Sequence, residues 1–272
     1  MSTSTLPDVQ ATPDTRGVAL DQVGVRDLRY PIDVLDRAGG TQRTVASLAL
    51  SVGLPHHFKG THMSRFVEAL SHYRGEFTMR TLPALLDELR DRLDAETARV
   101  ELRFPYFVEK TAPVSGLSAL MDVECGFTAE DTPSGRDFVL HVAAPVASLC
   151  PCSKEISDYG AHNQRGQVEL DVTPALDDDG QPHLVWFEEL LEAAEDAASA
   201  PLYPLLKRPD ERFVTMQAYE NPAFVEDITR DVAARLMADD RLASFRVRVT
   251  NFESIHNHNA FAEIAWSRTA SA

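Results

Sequence analysis

A chain of 272 residues with 42 acidic against 26 basic side chains carries a formal charge of −16, which disfavours nucleic acid and anionic membrane surfaces as partners because like charges repel. At 44% hydrophobic it can bury one large core or two modest ones, and it holds no run near the roughly eighteen apolar residues of a membrane helix. Its three cysteines make no disulfide framework and point to a reducing, cytoplasmic setting.

Residues 1–20 are rich in Ser, Thr, Pro and Asp, lack the apolar centre of a signal peptide and read as a disordered tail. Two strands are predicted over 25–36 and 44–54, joined by a turn at Arg37-Ala38-Gly39-Gly40. Helices follow over 63–73, where Phe66, Leu70 and Tyr73 share a face, and over 82–93, where Leu82, Leu85, Leu86, Leu89 and Leu93 do. Strands over 100–110 and 117–128 complete the first half, and Asp131-Thr132-Pro133-Ser134-Gly135 breaks the chain. The order then returns: strands over 138–146 and 166–173, helices over 185–199 and 221–237, strands over 245–252 and 260–267. Asn221 reads as the N-cap of the last helix and Pro222 as its first residue.

Each half is thus strand-strand-helix-helix-strand-strand. The expected fold is α+β, with two modules, 21–130 and 136–272, each an antiparallel sheet with two helices on one face. Such a sheet leaves its other face and both edges uncovered. Pairing around a ring removes both problems, so a barrel-like oligomer is expected.

The stretch from Ser148 to Gly166 concentrates the chemistry: Cys150, Cys152, His162 and many polar donors directly after an apolar strand. Thiolate and imidazole suit a borderline divalent metal. With no second cysteine pair, an open catalytic site of three ligands and water fits better than a closed structural one. The spacing fits equally a strand-end cysteine and a hydrogen-bonding loop histidine. Cys152 reads as a second ligand, a redox partner of Cys150 or filler, and Cys125 as a core residue. His256 and His258, in the turn before the last strand, are proton carriers or polar turn residues. Glu211 reads as a loop carboxylate beside cations. Glu226 lies in the first turns of the last helix, where the helix dipole favours a carboxylate and where it can accept two parallel N–H bonds; a solvated surface acid is the alternative for both. Lys59-Gly60-Thr61-His62, with Arg65 just inside the next helix, reads as a weak anion site without Walker spacing.

Cys150-Pro151-Cys152-Ser153-Lys154-Glu155-Ile156-Ser157-Asp158-Tyr159-Gly160-Ala161-His162, Pro55-His56-His57-Phe58-Lys59-Gly60-Thr61-His62, Leu206-Lys207-Arg208-Pro209-Asp210-Glu211, Tyr219-Glu220-Asn221-Pro222 and Glu253-Ser254-Ile255-His256-Asn257-His258 together closely resemble GTP cyclohydrolase I of type IB. The resemblance covers about Val25 to Trp266. It implies tandem tunnelling-fold modules in a homotetramer with active sites at subunit interfaces. It implies conversion of GTP and water to formate and 7,8-dihydroneopterin triphosphate, with a divalent metal (Zn, Mn or Fe(II)). By position it makes Cys150, His162 and Glu211 the metal ligands, His256 the acid/base, with His258 as a neighbouring proton carrier, and Glu226 the purine anchor. Lys59, His62, Arg65, Lys154 and Arg165 become triphosphate contacts, chiefly on charge. Two rivals remain: another tunnelling-fold pterin or purine enzyme with Cys150 as nucleophile, and a non-enzymatic redox or metal-carrying protein using Cys150 and Cys152.

Overall fold

The computed structural model describes residues 8–10, 12–73, 77, 78 and 81–268. Of the tail expected over 1–20, residues 1–7 and 11 lie outside the described residues. The elements in chain order are β1 (Leu20–Leu35), β2 (Thr41–Leu54), α1 (Met63–His72), α2 (Leu82–Leu93), β3 (Ala98–Thr111), β4 (Ser118–Thr132), β5 (Gly135–Leu149), α3 (Pro151–Ile156), β6 (Asn163–Pro174), α4 (Phe187–Ala197), β7 (Ala200–Pro201), α5 (Arg208–Glu220), α6 (Val225–Met237), β8 (Leu242–Asn251) and β9 (Ala260–Ser267). They form two compact units. One runs to Leu35 and takes in Arg43–Phe104 and Phe127–Phe138; the other holds Asp36–Gln42, Pro105–Gly126 and the chain from Val139 onward. β2, β3, β4 and β5 contribute residues to both.

In the first unit the strands run in the order β1-β2-β3-β4. β2 and β3 pair antiparallel, with Leu48 opposite Leu102 and Leu50 opposite Val100. Along β2 alternate side chains from Thr44 to Leu54 are buried, the period-two signature of a sheet with one covered face. The leucines of α2 at 82, 85, 86 and 89 are buried together with Phe66 and Leu70 of α1. Phe77 is fully buried and meets the Tyr30 ring edge-on at 6.4 Å.

In the second unit the order is β5-β6-β8-β9, with β7 paired to β5. Every one of these pairs is antiparallel. Val168, Leu170 and Val172 of β6 and Phe245, Val247 and Val249 of β8 are buried, as are Val225, Ile228, Val232 and Leu236 of α6, which packs on β8 and β9. The opposite face is charged: Asp171 lies opposite both His141 and Arg246, and Glu169 opposite Arg248.

Three expectations need correction. The last helix starts at Val225, not at Asn221, which instead ends α5 with its N–H on Gln217 O at 3.0 Å. The start of α6 is capped from inside: the Phe224 N–H donates to the Asp227 carboxylate at 3.1 Å. Residues 208–220, left without an element, form α5. Only Asp210 and Ala218 of α5 are buried, so no apolar stripe announces it. Residues 151–156, expected as a polar loop, form the short helix α3.

In the first unit Asp131 gathers Arg90 Nη1 at 2.8 Å and Arg136 Nε at 3.1 Å. Burial raises its pKa, but the hydrogen bonds from Arg90 and Arg136 outweigh burial and hold it below the ordinary 3.8. A depressed carboxylate contributes stability above its unfolded value and loses it as the pH falls through the folded one. Asp131→Asn is therefore expected to lower stability at neutral pH by roughly 1.5–3 kcal/mol, the range for hydrogen bonds to charged groups. In urea unfolding, the gap to the unsubstituted protein should close as the pH falls below 3.8.

Candidate active site

The last rung of the β5–β6 ladder pairs Leu149 with Asn163. One step further the Cys150 N–H donates to His162 O at 3.1 Å. The ladder thus makes neighbours of two residues twelve apart in sequence. Between them the chain closes a small capped loop. Cys150 is the N-cap of α3, and its Sγ accepts the Ser153 N–H at 3.4 Å. Pro151 follows, where a missing N–H costs nothing. Ser153 Oγ donates to Cys150 O at 3.1 Å and accepts the His162 N–H at 3.2 Å. The His162 ring has its Nδ1 at 2.9 Å from Gln164 Oε1. With that oxygen as acceptor, Nδ1 carries the proton and Nε2 keeps its lone pair for a ligand or a proton.

Two further segments reach this end of the sheet. The β8–β9 loop arrives through Ser254, whose Oγ is 3.3 Å from His162 Nδ1. In that loop the exposed rings of His256 and His258 stack at 5.1 Å. The start of α6 arrives through the Ala223 N–H, which donates to Leu149 O at 3.1 Å. Glu226, the second residue of α6, is exposed there. Cys150, His162, the His256 loop and the Glu226 helix start therefore share one end of the second unit.

Glu211 stands in the first turn of α5, not in a loop. Among the described residues no group of three His, Cys, Asp or Glu side chains is arranged to hold a metal. Cys150 and His162 fit a borderline divalent ion in donor chemistry, but the single chain does not bring Glu211 to them as a third ligand. Beside Glu211 sits the better-anchored Asp210, 0% exposed. It accepts the N–H groups of Val114 and Ser115 and the Ser115 hydroxyl, at 2.8, 2.8 and 2.7 Å, and the Lys207 N–H at 2.8 Å. Asp210 was not singled out in sequence, although Lys207-Arg208-Pro209-Asp210 carries the pattern of a helix start with a carboxylate at its third residue.

Lys154 packs α3 against α5: its Nζ donates to Tyr219 O at 2.5 Å and lies 4.4 Å from the Tyr219 ring centroid. Arg165 is exposed, and its carbonyl accepts the Phe252 N–H at 2.9 Å. Lys59, His62 and Arg65 belong to the first unit. There the Lys59 N–H donates to Thr12 O at 3.3 Å, His62 Nε2 is 3.1 Å from Asp8, and Arg65 donates to Arg92 O at 2.9 Å. Cys152 is exposed, and Cys125 is buried with its thiol pushed up by burial.

Residues 6–262 match the family model described as type I GTP cyclohydrolase FolE2. The chain is 52% identical over 259 residues to the GTP cyclohydrolase FolE2 of Methylobacillus flagellatus, covering 95% of each chain. It is 51% identical to that of Nitrosococcus oceani over 95% of this chain and 94% of the relative. Among solved structures it is similar to a uricase from Bacillus fastidious, with a TM-score of 0.54 at 10% identity over 93% of this chain and 94% of that one. It is also similar to urate oxidase from Bacillus subtilis, at 0.51 and 9% over 91% and 98%. At such identities the uricases speak to the fold alone, which is of the tunnelling type.

Asp210→Ala removes the acceptor shared by the 112–117 turn and the start of α5. Amide exchange at Val114, Ser115 and Lys207 is expected to accelerate while α6 keeps its rates. Unchanged exchange at all three would show that other contacts hold the turn.

Proposed function

The chain belongs to the type I GTP cyclohydrolase FolE2 family, and on that footing we propose how its residues act on GTP. The activity is that of a GTP cyclohydrolase of pterin and folate biosynthesis, converting GTP and water to formate and 7,8-dihydroneopterin triphosphate. The observation that carries the assignment to this site is the Cys150–His162 neighbourhood at the end of the β5–β6 ladder, with the His256 loop tied to His162 through Ser254.

Glu226 anchors the purine. Its carboxylate accepts the two parallel N–H groups of the guanine edge, and its place in the first turn of α6 favours negative charge. His256 moves the proton at N7 as water adds at C8, and again as the ring opens; His258, stacked on it, is the neighbouring carrier. Cys150, His162 and Glu211 would together hold a divalent ion (Zn, Mn or Fe(II)), a mixed sulfur, nitrogen and oxygen set that suits several metals; Glu211, which the single chain does not bring to the other two, would have to be drawn in when the ion binds or the subunits assemble. Such an ion, when bound, lowers the pKa of water to about 7.

Lys154 and Arg165 are triphosphate contacts of one chain, and Lys59, His62 and Arg65 are those supplied by a neighbouring subunit. Lys154 has to exchange its Tyr219 contacts for phosphate to serve as one. The chain works as a cytoplasmic homotetramer built around a barrel, with sites at subunit interfaces. Support comes from the apolar side chains that α5 leaves exposed, Phe213, Met216 and Tyr219, and from Phe261, 69% exposed on the edge strand β9. No helix among the described residues is long and apolar enough to cross a membrane.

Metal-loaded protein incubated with GTP is expected to release formate and a fluorescent pterin, to lose both products on chelation and to regain them with added metal. Indifference to chelator, with loss on thiol alkylation, would instead assign Cys150 as a nucleophile. His256→Ala is expected to lower kcat about 10²–10⁴-fold, the usual weight of general acid–base catalysis. Glu226→Gln should lower kcat/KM by about one to two orders of magnitude, the weight of charged hydrogen bonds. Full formate release by His256→Ala would remove that residue from the chemistry.

A further inference from the structure

The three segments that carry Cys150, Glu226 and His256 meet at one buried hydroxyl. Ser148 is 0% exposed and stands two residues before Cys150. Its Oγ donates to Ala223 O at 3.3 Å, three residues before Glu226. The same Oγ accepts from Asn251 Nδ2 at 2.9 Å. Asn251, 3% exposed, is the last residue of β8 and opens the loop that leads to His256. Bonds on either side reinforce the junction. The Leu149 N–H donates to Ser199 Oγ at 3.0 Å, and the Phe252 N–H to Arg165 O at 2.9 Å.

Two details indicate that the junction is a built feature rather than ordinary strand-end packing. Asn251 Oδ1 is buried with no hydrogen-bond partner among the described residues. An unpaired amide oxygen costs free energy that an apolar side chain at the same place would avoid. What the amide contributes in return is its bond to Ser148. The opposing residue leaves room for it: Gly166 faces Asn251 across the β6–β8 ladder, and a Cβ there would come within 2.8 Å of Asn251 Oδ1.

We propose that Ser148 and Asn251 are positioning residues, one polar junction that sets the spacing between the Cys150–His162 rung, the Glu226 end of α6 and the His256 loop. Neither side chain touches the reacting atoms. The inference rests on the roles given above to Glu226 and His256. It divides the labour in a way simple structural support does not. Ser148 is the link to the Glu226 segment, and Asn251 the link to the His256 loop.

The test compares Ser148→Ala, Asn251→Ala and the hydroxyl-retaining Ser148→Thr in the full-length, metal-loaded protein with GTP. Ser148→Ala is expected to raise KM about tenfold with a smaller change in kcat, and Asn251→Ala to lower kcat about tenfold with a smaller change in KM, as small displacements of an anchor and of an acid/base do. Ser148→Thr should recover most of the KM. Amide exchange should quicken at 221–227 in Ser148→Ala and at 252–259 in Asn251→Ala, with the first unit unchanged. A matching loss of kcat in both variants at constant KM, with exchange raised throughout, would reduce the junction to general stability and overturn the inference. So would local exchange changes without any kinetic split. If Ser148→Ala does not fold, Asn251→Ala decides: unchanged kcat overturns the inference, and lowered kcat with exchange confined to the loop supports it. Glu226→Gln with an unchanged KM would overturn the purine-anchor reading itself, and the Ser148 half of the inference with it.

Discussion

The site depends on where the β5–β6 ladder stops. Antiparallel pairing brings residues far apart in sequence onto one rung, and here the rung after Leu149 and Asn163 joins Cys150 to His162. The register is held along ten paired positions, with Val142, Ala144 and Val146 buried on one strand and Val168, Leu170 and Val172 on the other. A slip by one residue would turn every one of these side chains to the opposite face, so core burial enforces the register that places the thiol and the imidazole. Gly166 has its own constraint, because the space a side chain would need is taken by the Asn251 amide.

α5 is held by capping more than by apolar contact, whereas α4 and α6 combine the same kind of cap with a buried apolar face. α4, α5 and α6 each begin with a carboxylate at their third residue that accepts the N–H of the residue before the helix: Glu189 from Trp186, Asp210 from Lys207 and Asp227 from Phe224. Asp210 goes further and collects the turn at Val114 and Ser115 as well. Burial raises its pKa, yet the bonds from Ser115, Lys207 and Val114 outweigh that and hold the carboxyl well below the usual range. α5 therefore keeps its place with little apolar burial. It presents Phe213, Met216 and Tyr219 outward.

Legibility followed burial. The strands and the helices α1, α2, α4 and α6 were readable because each shows its period to a core: Leu48 and Leu50 on β2, Leu85 and Leu89 on α2, Ile228 and Val232 on α6. α5 was not readable, because its apolar residues lie on the exposed side. The start of α6 was misplaced for a related reason. Asn221-Pro222 is good helix-start chemistry, but Asn221 was already committed as the end of the unseen α5, and the next helix is capped from within by Asp227. Of the site, Cys150, His162, His256 and Glu226 stood out by residue type and motif. Ser148, Asn251 and Asp210 did not, since a serine or asparagine at a strand end has no pattern of its own.

The sequence by itself determined the α+β class, the antiparallel strands and the chemistry-bearing residues, because periodicity and residue type are local properties. Only the tertiary structure decided that Cys150 and His162 share a rung, that Ala223 and Asn251 both bind Ser148, and that Glu211 rides on a helix whose Asp210 is pinned to the turn at Val114 and Ser115. Each of these is a hydrogen bond between groups remote in the chain. Such a bond exists only once the ladder register has been set by burial, and neither partner carries a mark of the other.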